Sequence, residues 1–380
     1  MNDLVKQEMD VIRACVRMKQ SGISVDLTRM LEIKGSIEKL IVDNVQKITK
    51  SVTTPYKAGR LWMQAYFTQN GIPVKMNPKT GLPIFDYETL EKVNDVVVKL
   101  ILRQRDLEHS LTNLDNYVSN SVFVGNGHKI FPMINTHGAS TGRFSYSSPN
   151  LQNIPKDDEF SVRSVVIPDK GKYLVSIDYS AQEYRVFADY ASDTRLIDRL
   201  NNGEDIHQMV ADMLNIERKQ AKTVLFAILY GSGNSKLASM LSLPVHKAVD
   251  LRNKLYHMIP AMRTLTERVV RVAESRGYVK NSFGRRLYTP SRSGYMMLNH
   301  LVQSTCADTM KKAMVEIDKF LADKKSRMLA TIHDELLFEI DYSEEGIENQ
   351  CKKIMEEVYP ARAGIKLPCE LKKYKTNWGN

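Results

Sequence analysis

Two short stretches of this chain set acids where they could do chemistry. The run TIHDELLFEI, residues 331–340, places His333, Asp334 and Glu335 between apolar arms of strand-forming residues. Buried carboxylates are costly unless they are paired or hold a cation, so Asp334 and Glu335 belong at a bend where a sheet meets solvent or metal. An acidic hairpin turn would satisfy the same pattern, because aspartate is a common turn former. Further up the chain, YLVSI, residues 173–177, reads as a buried strand that ends directly in Asp178. If the two strands are neighbours, Asp178 and Asp334 make a hard-oxygen site suited to Mg²⁺, which takes one or two carboxylates together with phosphate oxygens. Two ions held that way lower the charge on an attacking hydroxyl and stabilise a leaving pyrophosphate. Helix caps or turns are the alternative reading of the same two acids.

A third stretch, ERKQAKTVLFAILYG at 217–231, carries cations and rings rather than acids. On a helix, Arg218, Lys222, Phe226 and Tyr230 recur every fourth position and share one slowly drifting face. Two cations followed by two rings suit a ligand with phosphates at one end and a sugar and base at the other. An ordinary amphipathic helix, cations out and rings in, fits the spacing as well.

The elements that must position these residues are legible in outline. Residues 4–50 read as two helices separated by a turn at Gly22, with Asp26 capping the second. The segment from Gly71 to Pro83 is an exposed loop, and a helix is expected from Tyr87 to Tyr117. A short strand is expected over Lys129–Ile134, followed by a long Gly/Ser-rich tract from Thr136 to Pro155 that is too polar for core. Beyond Asp178 a helix follows, and Asp198–Pro290 is mainly helical, broken near Gly203, Gly231–Asn234, Pro244, Pro260 and Gly284. A long helix over Tyr295–Leu321 leads into the hairpin.

The 380 residues hold 54 Lys plus Arg against 44 Asp plus Glu, a formal charge of +10 that favours a polyanionic partner. Cys15, Cys306, Cys351 and Cys369 lack any CxxC spacing, which argues against a zinc site or a disulfide framework and for a reducing compartment. No apolar run reaches membrane-spanning length, and the acidic start MNDLVKQEMD is unlike a targeting peptide.

Taken together, these motifs resemble the family A DNA polymerases, the group typified by bacterial DNA polymerase I. The 217–231 helix is similar to that family's nucleotide-binding fingers motif. DYSAQEYR, Asp178–Arg185, resembles its first metal-binding motif, and HDE, His333–Glu335, its last. TGRFSYSSPNLQNIP, Thr141–Pro155, looks like its template-primer segment. GEDIH, Gly203–His207, GYVKNSFGRRLYTP, Gly277–Pro290, and the terminal NWG, Asn377–Gly379, match further family patterns. The opening EMDVIRACVRMKQSGISVD is similar to the entry into the thumb, so the likeness is collinear and spans nearly the whole chain.

The resemblance implies an α+β right-hand polymerase fold: a helical thumb over 1–124, an antiparallel palm sheet from 125–194 and 290–380, and helical fingers over 195–289. It implies template-directed extension of a primer 3′ end with dNTPs by two-metal nucleotidyl transfer. Asp178 and Asp334 would hold two Mg²⁺ ions, for which Mn²⁺ could substitute, with the Tyr179 carbonyl helping. Glu335 would be an outer-shell catalytic carboxylate and His333 would sit near the primer end. Arg218 and Lys222 would grip the triphosphate, Lys222 also protonating pyrophosphate, with His207 adding a phosphate contact and Phe226 packing on the sugar and base. Glu183 with Tyr230 would exclude ribonucleotides, and Gln182 would join the nucleotide site. Arg143, Asn150, Gln152, Asn153, Arg185, Asn299 and Gln303 would bind primer-template DNA, Arg143 and Gln303 through the minor groove.

Several positions depart from the family. Ala181, Gln182 and Tyr184 replace the usual residues around Glu183, Leu225 and Ala227 stand where Asn and Gly are commoner, and Tyr295 stands where Arg is usual. Asp86 and Glu88 form a DxE triplet that reads as a helix cap rather than an exonuclease site, and the length leaves no room for a proofreading domain. The expected protein is a monomer acting in the cytoplasm of a bacterium or phage-infected host, with a separate exonuclease, helicase or primase as candidate partners. An inactive nucleic-acid-binding relative and a single-subunit RNA polymerase remain the alternatives. Retention of both acids and both cations argues against the first, and Glu183 with the TGRFS segment against the second.

Overall fold

A computed structural model describes residues 3–154, 159–289 and 294–379. Helix α1 (Asp3–Ser21) buries Val11, Ala14, Cys15 and Met18. Gly22 ends it with a φ of 63°, and the Phe131 ring lies 2.6 Å from where a Cβ would stand, so only glycine fits. Strand β1 (Ile23–Val25) follows, too short to show a period and unexpected from the sequence. Helix α2 (Leu27–Lys50) starts as expected at Asp26, whose side chain accepts the Arg29 N–H at 2.9 Å.

Helix α3 (Arg60–Gln69) buries Trp62, Met63, Tyr66 and Phe67 in a small separate core at the far end of α2. The helix expected over 87–117 is two helices, α4 (Tyr87–Leu90) and α5 (Val96–Ser119). Asp95 causes the break, because its side chain caps α5 through the Val98 N–H. Asp86 caps α4 through the Thr89 N–H, as its spacing suggested. The buried Asn44 locks α2 to α5 by donating to Leu100 O and Gln104 Oε1.

The strand expected over 129–134 also divides. Strands β2 (Ser121–Val124) and β3 (Gly127–Ile130) join β1 in the order β1-β3-β2, and β4 (Met133–Asn135) pairs instead with β5 (Ser145–Ser147). Strand β6 (Lys172–Tyr179) runs two residues past its apolar run and so includes Asp178. Then come α6 (Gln182–Ala191), α7 (Thr194–Asn201), α8 (Ile206–Leu214), α9 (Arg218–Leu229), α10 (Asn234–Met240), α11 (Val245–Met258) and α12 (Pro260–Arg276). The short ribbon β7 (Tyr278–Lys280) and β8 (Arg286–Tyr288) returns the chain to α13 (Met297–Phe320). Strands β9 (Arg327–Ile332) and β10 (Glu335–Asp341), helix α14 (Ile347–Glu357) and β11 (Cys369–Tyr374) complete it.

The central sheet is antiparallel in the order β11-β6-β10-β9. Tyr173, Val175, Ile177, Leu336, Phe338 and Ile340 face a core shared with α6, α13 and α14. Leu174, Leu337, Leu329 and Trp378 face a second core with β1 and α2. Burial on both faces explains why β6 reads as a continuous apolar run rather than an alternation. A buried ion cluster ties α1 to this body: Lys311 donates to Glu8 at 2.9 Å, and Arg285 pairs with Asp308 at 2.6 Å. Removing one partner from such a pair costs about 3–5 kcal/mol, because the other is left charged in the interior. Among the described residues no helix is long and apolar enough to cross a membrane.

Candidate active site

The sheet end sets the acids. Asp178 lies opposite Glu335 in the β6–β10 register, and the Tyr179 N–H donates to the Asp334 carbonyl at 3.1 Å. Asp178 and Asp334 are therefore cross-strand neighbours at one edge, although 156 residues separate them (334 − 178). Cys369, opposite Tyr179, reports on both: burial raises its thiol well above the ordinary range, and Asp178 and Asp334 each push it the same way.

The polar trio is not all at the hairpin tip. His333, at φ 57°, and Asp334 form the turn, whereas Glu335 is the first residue of β10, 1% exposed and bound by Arg163 Nη1 at 3.1 and 3.2 Å. The sequence pattern could not give this, because Arg163 is 172 residues away.

Helix α9 faces the turn across a cavity of about 360 Å³ lined by Arg143, Gln152, Gln182, Glu183, His207, Lys222, Phe226, Tyr230, His333 and Asp334. Asp178 lines a second hollow of about 280 Å³ with Arg163 and Glu335. Lys222 Nζ stands 5.9 Å from the Phe226 ring centre, and Phe226 packs on Tyr230 at 5.4 Å. The Tyr230 hydroxyl donates to Glu183 Oε2 at 2.9 Å while Arg143 binds the other oxygen of that carboxylate. Burial first and Glu183 second push the Tyr230 hydroxyl above its usual range, so it remains a donor at neutral pH.

Asp205, which sequence reasoning left without a role, organises the cationic end. Its Oδ1 caps α8 by accepting the His207 and Gln208 N–H groups at 2.8 and 3.2 Å, and its Oδ2 takes Arg218 Nη2 at 2.7 Å. Burial would raise this carboxyl, but hydrogen bonds from Arg218 and the helix N–H groups hold it below the usual range. Burial, against the pull of Asp205, keeps the His207 imidazole below its ordinary range. The available signal was the spacing in GEDIH, with aspartate just before a helix start.

Other expected residues fall differently. Arg185, expected on DNA, is instead 5% exposed and donates to the carbonyls of Ser180, Lys366 and Leu200, so it braces α6 against neighbouring loops. Asn150 caps the turn at Leu151 by accepting the Gln152 N–H, and Gln152 Nε2 donates to the Phe144 carbonyl at 3.1 Å. Asn153 reaches Asn113 at 3.4 Å, and Gln303 on α13 lies beside the Tyr230 hydroxyl. Asn299 Oδ1 is buried with no partner among the described residues. Tyr184 lines the cavity with its ring 5.2 Å from both His207 and Phe226, and Leu225 and Ala227 are each 1% exposed. Pro155 and Pro290 lie outside the described residues, as does the side chain of Tyr295.

A sheet-end acid, Asp334, thus shares one cavity with the Lys222 cation and the tilted rings of Phe226 and Tyr230. The chain belongs to DNA polymerase family A, whose family model matches residues 34–380. It is 30% identical over 406 aligned positions to DNA polymerase I of Caldicellulosiruptor bescii, covering 98% of this chain and 46% of that protein. It is 31% identical to the thermostable DNA polymerase I of Thermus aquaticus, covering 90% of this chain and 44% of that one. The chain thus spans about half the length of the curated relatives it matches. Its fold superposes with a TM-score of 0.90 on the POL domain of Pol1 from M. smegmatis, in complex with DNA primer-template and dNTP, at 27% identity over 98% of this chain and 70% of that one.

Proposed function

We propose that this chain extends a primer 3′ end on a DNA template with dNTPs and releases pyrophosphate. The observation that carries the reading is that Asp334 shares a cavity with Lys222, Phe226 and Tyr230 while Asp178 stands beside it in the sheet register, opposite Glu335. Residues 1–124 act as thumb, 125–194 with 290–380 as palm and 195–289 as fingers.

The donor set suits Mg²⁺. Among the described residues no three or more His, Cys, Asp or Glu cluster closely enough to hold an ion by themselves, and two carboxylates completed by phosphate oxygens match the habit of that cation. Bound there, divalent ions supply charge neutralisation at the attacking and leaving oxygens. The chain's own groups do the rest. Asp178 and Asp334, with the Tyr179 carbonyl, offer the hard oxygens, and Glu335 stays behind them on Arg163.

Arg218, Lys222 and His207 bind and orient the triphosphate, and the Lys222 ammonium can give a proton to the departing pyrophosphate. Phe226 packs on sugar and base. Glu183, fixed between Arg143 and Tyr230, closes the space that a ribose 2′-hydroxyl would need. Gln182 completes the nucleotide site, while Gln152, Asn150, Asn153, Asn299, Gln303 and His333 contact primer and template.

The test is extension of a labelled primer on a DNA template by the purified chain with Mg²⁺, comparing dNTPs with rNTPs. Templated dNTP addition at a rate at least about tenfold above rNTP addition is expected from one steric and hydrogen-bond filter. Duplex binding without extension would leave a binding module, and a preference for rNTPs would leave an RNA polymerase.

A further inference from the structure

The Asn-Trp-Gly ending at 377–379 has no part in the site described so far, yet it reaches it through one arginine. Three acids lie side by side across the sheet end, because Asp178 is opposite Glu335 on β10 and opposite Glu370 on β11. Like charges directly opposite one another on a sheet repel. Glu370 meets Lys372 at 3.2 Å on the exposed side of β11, whereas Glu335 is neutralised in the interior. Arg163, on the short turn Val162–Val165, binds both oxygens of Glu335 at 3.1 and 3.2 Å, with both side chains almost out of water.

That guanidinium stands 3.9 Å above the Trp378 ring. Trp378 is itself 1% exposed, and its backbone N–H donates to the Val166 carbonyl at 2.8 Å, which pins this segment beside the turn carrying Arg163. Arg163, Glu335, Glu370 and Gly379 surround the same hollow as Asp178. A planar guanidinium between an indole face and a carboxylate is oriented from both sides, which a lysine could not reproduce.

We infer that Arg163, seated on Trp378, is a positioning residue that neutralises Glu335 and so leaves Asp178 and Asp334 as the acids that meet the divalent cations. Without it, Glu335 would stand one strand from Asp178 with its full charge and would compete as a further ligand, tightening metal binding while displacing the ion from its working position. The inference rests on the metal reading proposed above.

Mn²⁺ binding, followed by loss of the free-ion electron paramagnetic resonance signal, measures it apart from activity. Arg163→Ala is expected to bind Mn²⁺ about fivefold more tightly, and Glu335→Gln, which leaves Arg163 uncompensated, about fivefold more weakly. The double variant should return to within about twofold of the unmodified chain in Mn²⁺ affinity, and it should recover much of the incorporation rate that Arg163→Ala loses at saturating Mg²⁺. A merely structural arginine would move both single variants the same way or neither, and that result overturns the inference. Should Arg163→Ala fail to fold, Glu335→Gln decides alone: weakened binding supports the inference and unchanged binding overturns it. Asp178→Ala separates the two levels, because Mn²⁺ binding that survives that change removes the metal reading itself, whatever Arg163 does.

Discussion

The two sides of the cavity are held by different physics. On the sheet side, Asp178 and Asp334 are placed by backbone register between strands buried on both faces, and a slip of one residue would turn every core side chain of β6 to the other face. On the helix side, Arg218 and Lys222 are exposed, restrained by an Asp205 pair and by ring contacts. Exposed pairs are worth roughly 0.2–1 kcal/mol, far less than a sheet register. The acids are therefore fixed before any ligand arrives, whereas on the proposed function the cations would gain much of their order from bound phosphates. Changes on the sheet side should act as all-or-none effects, and changes on the helix side should be graded.

Asp178→Ala gives the largest effect: incorporation should fall by on the order of 10³-fold in a single-turnover assay, with duplex affinity within about twofold, because a metal-holding charge supplies several kcal/mol of transition-state stabilisation. Lys222→Ala follows, with a loss of about 10²-fold in the maximal rate from a missing proton donor and cation. Its deficit should be larger in kcat than in KM, and a pure KM effect would reduce Lys222 to a binding group. Glu183→Ala should leave dNTP addition within about tenfold but raise rNTP addition relative to it by about 10–200-fold, measured as the ratio of kcat/KM values. The smallest effect belongs to Asp205→Asn, which keeps the helix cap but gives up the charge on Arg218. It should raise the KM for dNTP by about two- to fivefold with kcat little changed. An effect of Asp205→Asn as large as that of Asp178→Ala would erase the contrast between the two sides.

What the sequence could tell followed the same division. Local signals were readable: Asp26 and Asp86 cap the helices their spacing announced, and Lys222, Phe226 and Tyr230 line one cavity, with Arg218 held on Asp205. Asp95 could have been read too, since an aspartate just before Val96 is a helix start, yet the apolar run on either side masked it. Long-range partners were not readable. β1 exists because three residues pair with Ile130, Lys129 and His128, more than a hundred positions on. Arg185 has the look of a DNA-binding cation, yet its donors go to the Ser180, Leu200 and Lys366 carbonyls, the last 181 residues on. Glu335 looked like part of an exposed acidic tip for the same reason, because Arg163 and Trp378 reach it only once the sheet has formed.

The most direct measurement is the anomalous difference density of Mn²⁺ in crystals of this chain with primer-template and an incoming dNTP. The account predicts manganese at about 2.1 Å from carboxylate oxygens of both Asp178 and Asp334, on the side facing Lys222. Manganese bound elsewhere, or an Asp178 carboxylate turned wholly into the hollow beside Glu370 with no ion between the two acids, would contradict it.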